Sequence, residues 1–203
     1  MMRLYQMQDS GNCYKVRLAA HRLGLPLELV DIDILKGESR TGDFLARNPN
    51  GRVPTLEFND GRTLAESNAI MFYLAEGTAL LPADRFARAQ ALQWMFFEQY
   101  SHEPYIAVAR FWHSIKPGGR EEKKDRFPEW HERGYQALAV MERHLSTHDW
   151  FAGNACSIAD IALYAYTHVA HEGDFDIAPY KAIGAWMERI RAEPGHVPMD
   201  WRP

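Results

Sequence analysis

The chain has 203 residues, 46% of them hydrophobic, which is enough for one large domain or two small ones with a buried core. Its net charge of −4 disfavours a nucleic-acid partner, because a nucleic-acid binder needs a basic face. No apolar signal region follows Met1, and no run approaches the roughly 20 apolar residues of a membrane helix, so we expect a cytoplasmic protein without a membrane partner. The two cysteines, Cys13 and Cys156, fit a reducing compartment and disfavour a disulfide scaffold.

The start of the chain predicts a βαβ unit. A strand is expected at 3–7, a helix at 12–23 that stops at Gly24, and a second strand at 28–32. The two strands should be parallel and their crossover right-handed. Thr41 is then placed to cap a short helix.

A hairpin and a helix follow in the stretch 48–75. Extended runs at 55–58 and 63–65 flank the turn residues 59–62, and the next helix is expected to begin with Ser67 as its capping hydroxyl. A helix start favours a carboxylate, because its free N–H groups and dipole attract an anion. Glu66, immediately before, could take an ammonium group, so the pair suits a zwitterionic end group.

Val53-Pro54 supplies the second half of a binding site. Pro54 cannot donate a hydrogen bond, so the backbone groups of Val53 are free to pair with an extended peptide ligand. Taken separately, Val53-Pro54 predicts only the end of a loop, and Glu66-Ser67 predicts only a helix cap. Their close succession favours a ligand site.

Beyond a linker at 77–85, which contains Pro82, every strong pattern is helical. A long helix at 86–112 should be kinked or interrupted at Pro104. A charged loop is expected at 116–126, and Ser157-Ile158-Ala159-Asp160 forms a capping box at the head of an apolar helix. The remaining helices are expected at 128–144 and 178–192.

Three motifs give this sequence a family resemblance. NPNGRVPTL at 48–56 followed by ESNAI at 66–70 resembles the glutathione-binding domain of the cytosolic glutathione transferases, and SIADI at 157–161 resembles the folding signature of their second domain. The resemblance implies an α+β, thioredoxin-like domain at 1–76 and an all-helical domain at 86–203. It also implies glutathione as co-substrate and a homodimer.

The same resemblance implies roles for the central stretch. Val53 would pair its backbone with the cysteinyl unit of glutathione beside a cis-Pro54, while Glu66 and Ser67 would hold the γ-glutamyl amine and carboxylate. We also expect Arg40 and Arg52 among the glutathione-binding residues.

A glutathione enzyme needs a thiolate on the bound tripeptide. Lowering the pKa of a free thiol by about 2 units takes roughly 2.7 kcal/mol, which one or two donors at the first helix start can supply. By resemblance, Ser10 falls at the catalytic serine of theta- and zeta-like enzymes, and Asn12 at a second donor of nu-like ones. Ser10 as a plain cap is compatible with this role. Cys13 is expected to be structural and Tyr5 to lie in the core.

The sequence also offers candidate residues for an electrophile pocket and for a metal site, and it leaves two other functions open. We expect Tyr105, Arg110 and Trp112, around the Pro104 break, to line or rim a pocket for a small hydrophobic electrophile. The histidine pairs 144/148 and 168/171 share helical faces but lack acidic or thiolate partners, so no metal is expected. Two other functions stay open: glutathione-dependent reduction of a disulfide or peroxide, and glutathione binding without turnover.

Overall fold

The computed structural model of the chain describes residues 1–203. The chain divides into two compact units. The sheet unit comprises Met1–Thr78 together with Pro194–Pro203, and the helical unit comprises Ala79–Glu193.

The sheet unit contains four strands and three helices in the thioredoxin-like, α+β arrangement that the resemblance implies. Its elements are β1 Met2–Gln6, α1 Gly11–Arg22, β2 Leu27–Asp31, α2 Gly42–Arg47, β3 Thr55–Glu57, β4 Thr63–Ala65 and α3 Ser67–Ala75. The strand order is β2-β1-β3-β4, with β1 and β2 parallel and the other pairs antiparallel. The predicted βαβ unit and hairpin are therefore confirmed.

The core of the sheet unit lies between the sheet and the packed pair α1 and α3. Leu4 and Leu56 contribute from the sheet, and Val16 and Ile70 from the helices; all four are fully buried. Gly24 follows α1 with a positive φ of 65°, which glycine adopts without strain. These contacts hold the N-terminal ends of α1 and α3 in fixed positions within the unit.

The C-terminal segment Pro194–Pro203 packs with the sheet unit, although the sequence analysis expects it in the helical domain. The Tyr14 hydroxyl donates to Val197 O (2.7 Å), and Arg17 Nη2 donates to Met199 O (2.7 Å). Arg17 is buried, so its charged donors need such acceptors. The sequence of this segment has no helical periodicity. It was grouped with the helical domain only because it follows that domain along the chain.

The helical unit contains six helices. They are α4 Arg85–Phe97, α5 Glu103–Arg110, α6 Gly119–Glu122, α7 Phe127–Leu145, α8 Ile158–Thr167 and α9 Lys181–Ala192. The predicted interruption at Pro104 is confirmed, since a π-helical turn at Glu98–His102 joins α4 to α5. A second π-helical turn follows at Phe111–Ile115. The predicted loop 116–126 instead contains α6, one helical turn that begins after Gly118 at φ 71°.

The capping box at α8 is present as predicted. Asp160 Oδ2 accepts from the Ser157 N–H (2.9 Å) and from the Ser157 hydroxyl (2.9 Å), while Oδ1 accepts from the Phe151 N–H (3.1 Å) and Trp186 Nε1 (3.0 Å). α8 is buried along its whole length. None of the helices combines the length and hydropathy needed to cross a bilayer.

Candidate functional site

Ser10 lies at the N-cap of α1, in the sheet unit. Its backbone is extended (φ −77°, ψ 120°), and its Oγ accepts a hydrogen bond from the Cys13 N–H at 3.3 Å. The Ser10 side chain also hydrogen-bonds with the Cys13 thiol, which opposes the effect of burial on the pKa of that thiol. Ser10 is thus a helix cap, and its side chain is only partly buried. An anion in front of α1 could accept a hydrogen bond from the Ser10 hydroxyl, and the positive end of the helix dipole would also attract it.

Asn12 connects the starts of α1 and α3. Its Oδ1 accepts from Ser67 Oγ at 3.1 Å and from Lys15 Nζ at 2.7 Å. Two donors on one oxygen fix which end of the amide is the acceptor and which is the NH2 donor. Asn12 and Ser67, 55 positions apart in sequence, therefore belong to one polar cluster.

Lys15 is the member of this cluster that sequence analysis missed. It is fully buried, on the face of α1 that carries Asn12 one turn earlier. A lysine in a short amphipathic helix reads as a solvated residue, because lysine is seldom fully buried. The only feature of the sequence that indicated a contact between Lys15 and Asn12 was their i, i+3 spacing on a helix.

Ser67 does not cap α3 as the sequence analysis expects. The N-cap is Glu66, and Ser67 is the first helical residue. The Ser67 side chain donates to Asn12 rather than accepting from its own helix. The sequence does not distinguish a serine at the N-cap from a serine at the first helical position, because the neighbouring residues are the same in both cases.

Glu66 has an unusual backbone for a residue with a side chain. Its φ is 67° and its ψ is 113°, one of two non-glycine residues with positive φ. Its carboxylate is exposed and makes no hydrogen bond in the structure. Strained backbone of this kind is concentrated at functional sites. The carboxylate is therefore available to an ammonium group beside the start of α3.

Val53 precedes β3 across a cis peptide bond to Pro54. Neither its N–H nor its C=O has a hydrogen-bonding partner in the structure. β3 itself is paired on both sides, so the open backbone is limited to the residues before Thr55. An extended ligand can pair here over about one residue, by backbone contacts like those of an added strand.

Asn48 holds the loop that presents Val53. Its Nδ2 donates to Arg52 O (2.8 Å) and to Thr55 Oγ1 (3.1 Å), and its Oδ1 accepts from the Asn50 N–H (3.0 Å). Asn48 is buried, and its bond to Thr55 is shielded from water. These three bonds connect the two ends of the loop.

The two predicted arginines lie on this loop or against it. Arg40 is exposed, and its Nη1 donates to Asn50 O at 3.0 Å. A Cβ on Gly51 would lie 2.8 Å from the backbone oxygen of Ser39, so glycine is required for space as well as for its φ of 61°. Arg52 is exposed, and its side chain makes no ion pair.

Cys13 and Tyr5 are structural, as expected. Cys13 is fully buried, and burial raises the pKa of its thiol, which disfavours the reactive thiolate. Its Sγ accepts from the Met7 N–H at 3.4 Å. Tyr5 is buried on the other face of β1 from Leu4, where its ring contacts Phe44 of α2 and its hydroxyl donates to Glu57 Oε2 at 2.9 Å.

The three residues predicted for the second substrate do not come together. In the helical unit, Tyr105 lines an open cleft of about 650 Å³. Arg110 is buried, and its Nε is paired with Glu172 Oε2 at 2.8 Å. Trp112 lies under two ammonium groups, those of Lys116 (4.1 Å to the ring centroid) and Lys123 (4.9 Å).

The histidine pairs have packing partners. His144 and His148 stack with ring centroids 4.3 Å apart, and His144 Nε2 lies 3.1 Å from Trp150 O. His168 Nδ1 lies 2.8 Å from Tyr164 O. No group of three or more His, Cys, Asp or Glu side chains in the chain is arranged to hold a metal ion.

Comparisons with known proteins cover both units. The family model of the glutathione S-transferase N-terminal domain matches residues 1–76, and that of the glutathione S-transferase C-terminal domain matches residues 91–194. Among curated proteins, the chain is 30% identical to the disulfide-bond oxidoreductase YfcG of Escherichia coli K12, over 96% of this chain and 92% of that protein.

Solved structures agree with the family models. A possible glutathione S-transferase from Rhodopseudomonas palustris superimposes with a TM-score of 0.98 at 56% identity, over 100% of this chain and 91% of the other. A glutathione transferase from Burkholderia graminis, with two glutathione molecules bound per subunit, superimposes with a TM-score of 0.82 at 27% identity, over 96% and 85% of the two chains. The chain therefore belongs to the glutathione S-transferase family.

Proposed function

We propose that the protein is a glutathione transferase that stabilises the thiolate of bound glutathione with Ser10, assisted by Asn12. The tripeptide would bind along the sheet unit, with its cysteinyl backbone paired to the N–H and C=O of Val53. Glu66 would take the γ-glutamyl ammonium, and the start of α3 with Ser67 would take the neighbouring carboxylate. Arg40 and Arg52 would lie on the loop side of the ligand.

The observation that supports this role is the position of Ser10 at the N-cap of α1, where its side chain is only partly buried. Its hydroxyl contacts only the first turn of α1, through the N–H and the thiol of Cys13, and rotation of the O–H would direct the hydrogen to a sulfur in front of the helix. A hydrogen bond to a charged group is worth about 1.5 to 3 kcal/mol, which corresponds to about one to two pKa units for the sulfur. One such donor accounts for most of the shift that a thiolate at neutral pH requires.

The reaction follows from the thiolate. Its sulfur lone pair forms an S–C bond to a small hydrophobic electrophile. In substitution, the carbon–halogen bond breaks and the halide leaves with the electron pair. In addition to an activated double bond, the new carbanion takes a proton from solvent.

Replacement of Ser10 tests the proposal. Ser10→Ala should lower kcat with an aryl halide at least about tenfold, the loss expected from roughly 1.4 kcal/mol of anion stabilisation. It should also raise the pKa of enzyme-bound glutathione, measured from thiolate absorbance in the ultraviolet. Ser10→Thr, which keeps a hydroxyl and a helix cap, should retain most of the activity.

Ser10→Ala also removes the N-cap of α1, so its effect on stability must be separated from its effect on the rate. Ser10→Ala should cost about 1 kcal/mol of stability, so rates must be compared well below the melting temperature. A wild-type rate and a wild-type thiol pKa in folded Ser10→Ala would remove Ser10 from the mechanism.

Reduction of disulfides is a second candidate, supported by the 30% identity to a protein named as a disulfide-bond oxidoreductase. Here the thiolate would attack one sulfur of a disulfide and expel the other as a thiolate. A second glutathione thiolate would then resolve the mixed disulfide and release glutathione disulfide. Turnover of hydroxyethyl disulfide exceeding that of an aryl halide would favour this candidate, whereas glutathione binding without thiolate absorbance would indicate a non-catalytic binder.

We further propose that the protein is a cytoplasmic homodimer. Neither cysteine forms a disulfide, as in a reducing compartment, and several large apolar side chains are strongly exposed, among them Tyr73 (53%), Phe86 (72%) and Phe96 (71%). Light scattering after gel filtration should give twice the chain mass of 23.4 kDa. A mass of 23.4 kDa at micromolar concentration would contradict the dimer.

A further inference from the structure

The side-chain amide of Asn12 has two ends of opposite chemistry, and only one of them suits a thiolate. The NH2 end donates hydrogen bonds, whereas Oδ1 accepts them. A donor to the sulfur lowers the pKa of a thiol because it stabilises the charged form, and an acceptor raises that pKa because it stabilises the S–H form. The effect of Asn12 on a sulfur in front of α1 therefore changes sign when the amide turns over.

Lys15 forms the shorter of two hydrogen bonds to Asn12 Oδ1. Its Nζ donates to that oxygen at 2.7 Å, and Ser67 Oγ donates at 3.1 Å. An ammonium group has donors and no acceptor, so it cannot pair with the NH2 end of the amide. A reversed amide would set its NH2 against the ammonium and lose this charge-assisted bond. Lys15 therefore excludes the reversed orientation.

Ser67 is a less permanent partner of Asn12. Its hydroxyl can donate or accept, so it can bond to either end of the amide. It also has a single hydrogen, and the proposed function assigns Ser67 to the γ-glutamyl carboxylate. When that carboxylate accepts the hydrogen, Asn12 Oδ1 loses the Ser67 bond and keeps the one from Lys15. The orientation of Asn12 in the complex with glutathione then depends on Lys15.

The fold holds Lys15 close to Asn12. The two residues lie three positions apart on α1, a spacing that brings their side chains together on one face of the helix. Lys15 is fully buried, so water does not compete for its ammonium hydrogens, and the bond to Asn12 is stronger than it would be at the surface. For the same reason, Lys15 offers no surface for contact with a ligand.

We propose that Lys15 is a positioning residue, which holds Asn12 Oδ1 on its ammonium so that the amide presents its NH2 end to the sulfur of glutathione. The inference rests on the proposed function, because it requires Asn12 to contact that sulfur. It adds that the site favours the thiolate before glutathione binds, since two donors already occupy Asn12 Oδ1.

Lys15→Met tests this role, because methionine is also long and unbranched but has no N–H donor. The pKa of enzyme-bound glutathione, measured from thiolate absorbance in the ultraviolet, should rise by about one unit. Below the wild-type pKa of the bound thiol, kcat with an aryl halide should fall about tenfold, since the thiolate fraction falls by that factor. Above the raised pKa, kcat should return to the wild-type value.

The conservative variant and the pH profile separate positioning from a merely structural role. Lys15→Arg keeps charged donors and should bring the thiol pKa back towards that of the wild type. A rate loss that is equal at every pH, with an unchanged thiol pKa, would overturn the positioning role of Lys15.

Two further variants are matched controls. Ser67→Ala removes the other donor to Asn12 Oδ1, and should raise KM for glutathione without the rise in thiol pKa. Arg22→Gln removes a cation from the last turn of α1 and should leave the thiol pKa unchanged. Equal rises in thiol pKa in Lys15→Met and in either control would overturn the inference.

Asn12→Ala distinguishes action through the amide from a direct effect of the ammonium charge on the sulfur. In folded Asn12→Ala, the added Lys15→Met change should raise the thiol pKa no further, because the amide that Lys15 orients is absent. A full further rise in this background would show a direct effect and overturn the positioning role.

A neutron crystal structure of the wild-type protein with glutathione tests the inference even if Lys15→Met does not fold. Deuterium atoms should show the NH2 end of Asn12 towards the sulfur and a Lys15 hydrogen on Oδ1. The reversed amide, or Oδ1 without the Lys15 hydrogen, would overturn the inference.

Failure of this inference is distinguishable from failure of the proposed function. If Ser10→Ala and Asn12→Ala both leave the thiol pKa at the wild-type value, the proposed function fails and this inference with it. If Asn12→Ala raises the thiol pKa and Lys15→Met does not, only the role of Lys15 is wrong.

Discussion

At the scale of single residues, Glu66 combines a strained backbone with an available charge. Its φ of 67° favours glycine, so Glu66→Gly should relieve strain and raise the free energy of unfolding by about 1 kcal/mol. The melting temperature should rise by about 2–4 °C. The same variant should bind glutathione more weakly, since it lacks the carboxylate.

Glu66→Gln is the matched control. It keeps the side-chain volume and the strain, so its melting temperature should equal that of the wild type while its glutathione affinity falls with that of Glu66→Gly. If Glu66→Gly binds glutathione as tightly as the wild type, the carboxylate has no part in the site.

The site residues were predictable only where a residue type limits the chemistry. The cis bond before Pro54 and the helix start beside Glu66 are present as expected, whereas the glutathione-binding roles of both residues stay predictions. The bond between Ser67 and Asn12 was not predictable, since it depends on how α1 and α3 pack. Lys15 was missed for the same reason: its burial is a tertiary property.

At the scale of elements, Asp160 does more than close the capping box of α8. Burial raises the pKa of its carboxyl, and four donors to its two oxygens oppose that effect. In Asp160→Asn the amide NH2 would face two donors, so we expect a loss of at least about 3 kcal/mol in the free energy of unfolding. Urea unfolding followed by circular dichroism measures this.

Ser157→Ala provides the comparison for Asp160→Asn. It removes the cap hydroxyl but leaves the Phe151 and Trp186 bonds in place, so it should cost only about 1 kcal/mol. Equal losses in the two variants would mean that Asp160 acts only within the capping box.

Elements were more predictable than contacts. Proline and capping signals located the break at Pro104 and the starts of α7 and α8, because both act through local backbone groups. The type of break was not predictable. A proline requires some departure from the ladder but does not specify a π-helical turn, and the burial of Glu98 and His102 within that turn is a tertiary property.

At the scale of the whole molecule, the C-terminal segment completes the sheet unit. Deletion of residues 199–203 removes Met199 O, which accepts from Arg17 Nη2 (2.7 Å) and from Gln8 Nε2 (2.8 Å). Arg17 is buried and would keep only Gln8 O (2.9 Å) as an acceptor for Nη2, and a buried donor that loses an acceptor costs about 1–3 kcal/mol, so the free energy of unfolding of the sheet unit should fall by about 1–3 kcal/mol. Amide hydrogen exchange should quicken in β1 and α1 and stay slow in α8.

The variant Arg202→Ala is the control for this deletion. It keeps the chain length but removes the exposed ion pair between Arg202 and Asp31 (2.7 Å), which should cost no more than about 1 kcal/mol. Uniformly faster exchange in both units of the deletion variant would contradict a role confined to the sheet unit.

The position of this segment has a consequence for biosynthesis. The ribosome synthesises Val197 and Met199 only after it has translated all of the helical unit, so the nascent sheet unit lacks these two hydrogen-bond acceptors until then. The usual order, in which the domain made first is finished first, is therefore reversed for this chain. The sheet unit becomes complete after the helical unit has been made, although most of its coding sequence is read first.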